Sequence, residues 1–449
     1  MIFRIIILLI LLFEPFVNQV IAQSQVQNFQ KYLIYRERLL SDFMVSSRGN
    51  EPGTNIPASF RNINTGLMRW GDATINLSNY MAVLATEYKL LKLSNMPVGE
   101  TLIEIDNVLM AMERLDISAE AFYGNPHAPP FPNGFFIRDD IPATFTQDWA
   151  WKNPSFVDYP YVRSDYTEAD KRLNEMSQDQ VWHLVIGLAL ISKLVDDTVS
   201  SPFFNGALRL TLSQRAMLIS YQIIKALQYK KCFNIINNKP CFRIWNLRNP
   251  VTKMPVKRGA DPRFLKFGFA EAGDFITDEN FGCLHWGYSL QGFIWIRLVG
   301  FLQIAQQFSP KGNIDHLFHA GSLATIGNIW STRDLIRLYN RHHKFFFVPD
   351  PHYEHFALIS CILHNDCPKK LNREKEKYER LLNLAPVNGP SNFGNYSAND
   401  FVFEWSSINR LVWPERLGSG TNQWLQGEYS GLDYMLLFNL YRLVYENGY

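Results

Sequence analysis

Apolar residues recur at helical spacing along most of this chain, and that repetition limits the fold more than any other feature of the sequence. Tyr32, Leu33, Tyr35, Leu39, Leu40 and Phe43 predict a first amphipathic helix over 25–46. After a loop rich in Gly, Pro and Asn, Asn76 or Ser78 can cap a helix carrying Tyr80, Met81, Val83, Leu84, Tyr88, Leu90 and Leu91. Pro97 opens its successor, which continues through Leu102, Ile105, Val108, Leu109 and Met112. The same spacing predicts helices over about 179–197, 211–230, 288–307, 315–329, 332–339, 353–363, 371–384 and 431–445. Strand-like alternation is scarce, and Phe345 to Val348 is its best instance. A succession of helices at intervals of roughly 35 to 50 residues predicts an all-α fold of stacked helical hairpins.

The composition agrees with a large core. Hydrophobic residues make up 47% and charged residues only 19% of the 449 positions, against about 25% charged in ordinary soluble domains. That much apolar surface offsets the chain entropy and excludes a disordered protein. Lys and Arg number 44 against 42 Asp and Glu, with no basic block, so nucleic acid is not an expected partner. No stretch has the composition of a hinge, and a single all-α domain over 23–449 is expected.

The N-terminus reads as an address. Arg4 precedes an unbroken apolar run from Ile5 to Phe13, Glu14 and Pro15 end it, and Val20-Ile21-Ala22 offers a cleavage point. Residues 1–22 are therefore expected to be a signal peptide and the protein to be secreted or periplasmic. The later apolar stretches, 181–191 and 293–304, are broken by Lys193 and Arg297 and are too short to cross a bilayer, so no membrane span is expected after cleavage. In an oxidising compartment Cys232 with Cys241 and Cys361 with Cys367 can form local bridges, leaving Cys283 as a free thiol. No C-x-x-C spacing, Walker loop, dinucleotide glycine motif or G-x-S-x-G elbow occurs, and no metal or cofactor is expected.

Two helix-poor segments, 124–176 and 232–285, concentrate proline and aromatic residues, among them Phe135, Phe136, Trp149, Trp151, Phe156, Tyr159 and Tyr161 in the first. Such loops are expected to fold over one end of the helical core and shape a cleft. An exported chain of helical hairpins with aromatic loops resembles the (α/α) toroid shared by secreted carbohydrate-active enzymes, including unsaturated-glucuronyl hydrolases and several polysaccharide lyases. The resemblance implies an oligo- or polysaccharide substrate.

Several constellations could carry that chemistry. Arg138-Asp139-Asp140 sets two carboxylates beside a guanidinium, a division that suits the acid and the nucleophile of a glycosidase, although Asp-Asp before Ile-Pro also fits a turn. Asp179 and His183 lie four apart at the start of an apolar helix, where Asp179 is equally a first-turn carboxylate favoured by the helix dipole. Asp140 is expected to be the acid and Asp179 the base or nucleophile. Trp70-Gly71-Asp72 could join a ring platform to a carboxylate, or be a turn and a cap. His285 and Trp286 enter a helix from the second aromatic loop. Tyr353 and His355 could supply the acid and base of a β-elimination, which keeps a polysaccharide lyase as the alternative to a glycoside hydrolase. A non-catalytic glycan-binding or cell-surface interaction protein would use the same rings without paired carboxylates.

Overall fold

The computed structural model describes residues 25–125, 132–176, 178–199, 210–226, 228–232, 241–245, 249–254, 353–364, 367, 374–385 and 428–447. The expected signal peptide, Phe345 to Val348, His285, Trp286 and Cys283 lie outside them.

Helix α1 covers 25–38 and ends in a widened turn at Leu39–Phe43. A hairpin follows, β1 (Phe60–Asn62) and β2 (Leu67–Trp70), and leads into α2 (Ala73–Leu93) and α3 (Gly99–Ile117). Two short helices, α4 (Ala119–Phe122) and α5 (Phe145–Asp148), precede β3 (Tyr161–Ser164). Helices α6 (Gln178–Leu194) and α7 (Leu212–Ala226) and the hairpin β4 (Gln228–Cys232) and β5 (Cys241–Trp245) come next. The remaining described elements are α8 (Tyr353–His364), α9 (Lys375–Leu384), β6 (Glu428–Tyr429) and α10 (Leu432–Tyr441).

Helix α2 is the centre of the core. It is buried almost all round, as a helix apolar on every face must be. Helix α6 packs beside it in parallel: the Ser78 hydroxyl donates to the His183 carbonyl near both N-termini, and Tyr88 reaches Asp196 at 3.1 Å beyond the far end. Gly187 permits the approach, because an added Cβ there would lie 2.7 Å from the Ser78 carbonyl oxygen. Each of these helices has an antiparallel neighbour. Thr101 of α3 donates to Glu87 of α2, and Ser213 of α7 donates to the Ser192 carbonyl of α6. Arg215 then ties α7 to α3 through Glu113, at 2.6 and 2.7 Å, and Asp106. Arg36 binds α1 to α2 and α3 through Glu87 and Glu104. Helix α10 closes the core, with the Asn439 amide donating to Val83 and Thr86.

The chain is nonetheless a mixed fold, which corrects the all-α (α/α) toroid expected from periodicity and resemblance. Strands β3, β2, β1 and β6 form one sheet in that order; β2 pairs parallel with β3, and β1 pairs antiparallel with β2 and β6. These strands are two to four residues long, below the length at which period-two alternation becomes visible. They exist because segments distant in sequence meet. The first aromatic segment is also more core than rim, since Phe135, Phe136, Phe156 and Tyr159 are buried in the main cluster.

Cys361 and Cys367 are joined by a disulfide. Cys232 and Cys241 stand directly opposite one another in the β4–β5 register. Facing residues of an antiparallel pair are about 4.5–5.5 Å apart at Cα, within the span a disulfide bridges. Peptide mapping of the unreduced protein should find both bridges, with only Cys283 open to alkylation; alkylation of Cys232 and Cys241 before reduction would show that the hairpin is not closed. Among the described residues no helix is long and apolar enough to cross a membrane.

Candidate functional site

Strands β2 and β3 run side by side with Trp70 in register with Ser164, so the chain leaves both at the same edge, as Gly71-Asp72 and as Asp165-Tyr166. The carboxyl ends of parallel strands are where loops most often present ligand-binding groups. Two carboxylates emerge here.

Asp72 is the N-cap of α2, yet its side chain makes no capping bond. Its backbone is left-handed, at φ 53° and ψ 43°, a state that costs a residue with a Cβ about 1 kcal/mol. The turn is braced instead by the Asp72 carbonyl, which accepts the Ile75 and Asn76 N–H groups, and by the Asn76 amide, which donates to the Gly71 and Asp72 carbonyls. This frees the carboxylate to turn toward Arg138, whose Nη1 lies 3.9 Å from Asp72 Oδ1 and 3.5 Å from Asp165 Oδ2. The two oxygens therefore lie at most about 7.4 Å apart, an upper limit below the roughly 9.5 Å ceiling for the paired carboxylates of glycosidases. Their side chains are 26% and 19% exposed, whereas that of Arg138 is 2% exposed and held from behind by a 2.8 Å bond from its Nε to the Glu175 carbonyl. The acids reach solvent and the cation between them is fixed.

Asp139 supports this arrangement from below. It is fully buried, and its carboxylate accepts the N–H groups of Asp165 at 2.8 Å and of Tyr166 and Ile141 at 3.2 Å. Burial, and then the neighbouring Asp165 charge, push its carboxyl well above the usual range, against the pull of those N–H donors. Tyr166, so anchored, is 39% exposed, and its ring centroid stands 5.1 Å from that of Phe122. Asp165 and Tyr166 were not among the residues expected from sequence. The alternation of Tyr161-Val162-Arg163-Ser164 was the one signal for them, and it spans only four residues.

The other expected residues fall elsewhere. Asp140 is engaged with Arg114, at 2.6 Å from Nε and 3.2 Å from Nη2, and also accepts the Gly53 N–H at 2.9 Å. Trp70 is fully buried, donates to the Ile56 carbonyl and meets Phe145 edge-on, so its ring lies beneath Asp72 in the core and is no platform. His183 is 2% exposed within the α2–α6 contact. Asp179 and Tyr353 lie on the first turns of α6 and α8, and their side chains fall outside the described residues. His355 is buried with Nε2 3.0 Å from the Asp433 carbonyl oxygen, and burial lowers it to about 4. Asn76 heads a glycosylation triplet but is completely buried in α2, which removes it as an acceptor in the folded chain. No group of three or more His, Cys, Asp or Glu suited to a metal occurs among the described residues.

Asp433, in the first turn of α10, is 4% exposed, and burial pushes its carboxyl up to about 7. An acid whose pKa is raised by folding costs stability as pH rises from its unfolded value through the raised one. The Asp433→Asn variant is accordingly expected to gain on the order of 4 kcal/mol at pH 8 and only a few tenths at pH 4. Urea unfolding at the two pH values measures this; an equal change at both would place the effect in packing rather than ionisation.

The chain matches no family model, no curated protein and no solved structure.

Proposed function

We propose that this protein is an exported carbohydrate-active enzyme, a glycoside hydrolase whose paired carboxylates are Asp72 and Asp165. The observation that carries the reading is the convergence of these two partly exposed acids on one buried guanidinium, with Asp72 held in a strained backbone. Strain of that kind persists where the surrounding structure enforces it, and it clusters at functional sites. One carboxyl group would protonate the glycosidic oxygen while the other attacks the anomeric carbon or activates a water. Arg138 sets their spacing, and the Tyr166 ring offers a face to the C–H side of a sugar. Asp140 is committed to Arg114 and is assigned no chemical role. Export is supported by the apolar N-terminal run and by the Cys361–Cys367 bridge.

A panel of oligosaccharides and polysaccharides tests the reading, with new reducing ends and ultraviolet absorbance followed together. Hydrolysis yields reducing ends alone. Absorbance from a new conjugated double bond would mean β-elimination, and glycan binding without cleavage would make the protein a binding module.

A further inference from the structure

Helix α1 shows solvent a face almost without charge. Its basic residues are engaged on the inner side: Lys31 with carbonyls at the end of α9, Arg36 with Glu87 and Glu104, and Arg38 with the Tyr429 carbonyl. Positions 26, 29, 30, 33, 34 and 37 are exposed and fall on one side at helical spacing. Four of them are apolar: Val26, Phe29, Leu33 and Ile34 are between 43% and 58% exposed. A surface helix ordinarily turns polar and charged residues to water, and a cluster of exposed apolar residues marks a contact surface. The charge on this face is Glu37, near the C-terminal end of α1, where the helix dipole disfavours a carboxylate. The other end has no acid of its own between Gln25 and Gln30. Glu446, which Gln25 meets there at 3.5 Å, is paired with Arg442 at 2.9 Å.

We propose that this face is the contact surface of a two-fold dimer, in which the α1 helices of two copies of the chain pack antiparallel. A two-fold contact sets the same patch of each copy against the other. A patch with an apolar centre and unlike ends matches itself only when the helices run in opposite directions. Gln30 then lies beside the axis, Val26 of each copy meets Ile34 of the other, and each Glu37 reaches the positive end of the opposing helix. A placement that is unfavourable in one copy becomes favourable in two. A bilayer would match the apolar stripe but not its borders, because membrane-surface helices are rimmed with Lys and Arg and those of α1 are engaged inward. Leu93 and Met96, both half exposed, widen the patch. Tyr32 meets Glu87 of α2 and Arg36 stacks over Tyr80, so α2 runs antiparallel to α1 and its C-terminal end lies toward the start of α1. The inference is independent of the glycan site.

Sedimentation velocity of the exported protein, from nanomolar to high micromolar concentration, tests the proposal and is expected to show a reversible monomer–dimer equilibrium. L33E sets two charges into the apolar contact of each dimer and is expected to raise the dissociation constant about a hundredfold. E37K, which turns two favourable helix-end contacts into repulsive ones, is expected to raise it about tenfold. Both positions are exposed, so the circular dichroism spectra should match the wild type. Cross-linking reports the direction of the helices. Q30C is expected to oxidise to a disulfide-linked dimer, its two thiols facing across the axis, whereas V26C thiols stand roughly 12 Å apart along the helices and stay reduced. A monomer at every concentration, or a dimer that L33E leaves intact, would overturn the proposal. Cross-linking through V26C would make the helices parallel and overturn the antiparallel contact. Flotation of the wild type but not of L33E with phosphatidylglycerol vesicles, without any dimer, would give the face to a lipid surface instead.

Discussion

Replacing Asp72 or Asp165 by Asn is expected to lower the turnover number on the order of 10³-fold, with little change in unfolding midpoint. General acid or base catalysis contributes about 10²–10⁴-fold, and each group is the sole partner of the other at the scissile bond. The amide keeps the shape of the side chain, and Asn adopts the left-handed backbone of position 72 as readily as Asp does. Both side chains are partly exposed and more than 3 Å from Arg138, and each variant leaves Arg138 its other carboxylate and its 2.8 Å bond to the Glu175 carbonyl, so the guanidinium is not left without a counter-charge. Steady-state kinetics with circular dichroism melts separates the two effects. Azide should restore turnover to the variant that has lost the nucleophile or base and not to the one that has lost the acid. Full activity in both variants would reject the assignment.

The second large effect is on stability. Asp140→Ala is expected to cost about 3–5 kcal/mol, because it leaves the Arg114 guanidinium buried without its counter-charge. Arg114 also bonds Asn50 and the Thr54 carbonyl, and the Gly53 N–H loses its acceptor. The 50–55 turn and the 138–141 segment thus come apart together. Guanidinium chloride unfolding measures the loss. A D140A protein with wild-type stability and no activity would return Asp140 to the chemistry.

These two predictions divide a pair of adjacent aspartates and their neighbour differently from the sequence reading, and the reason is geometric. Arg138, Asp139 and Asp140 stand in a row in sequence, but outside a helix neighbouring side chains diverge, and each of the three finds its own partners. Asp140 meets Arg114, Asp139 collects backbone N–H groups, and Arg138 reaches Asp72 and Asp165. Asp72 could be picked out from sequence for its place after Trp70 and Gly71, although the ring imagined beside it is in the core. Asp165 could not, because the alternation just before it, Tyr161 to Ser164, spans only four residues and is too short to stand out as a strand.

The helices α2, α3, α6 and α7 were legible because each carries enough apolar residues over enough turns to show a period, and that pattern is a local property. The Cys361–Cys367 bridge was legible for the same reason, its partners being six residues apart. The four-stranded sheet was decided only by tertiary structure. Its order joins β6, near the C-terminus, to β1, and strands of two to four residues gain their stability from partners rather than from their own pattern. The site follows the sheet. Local spacing determined that this chain would build a large, ring-rich helical core with few charges, while the parallel pairing of β2 with β3 selected which of those charges would face one another.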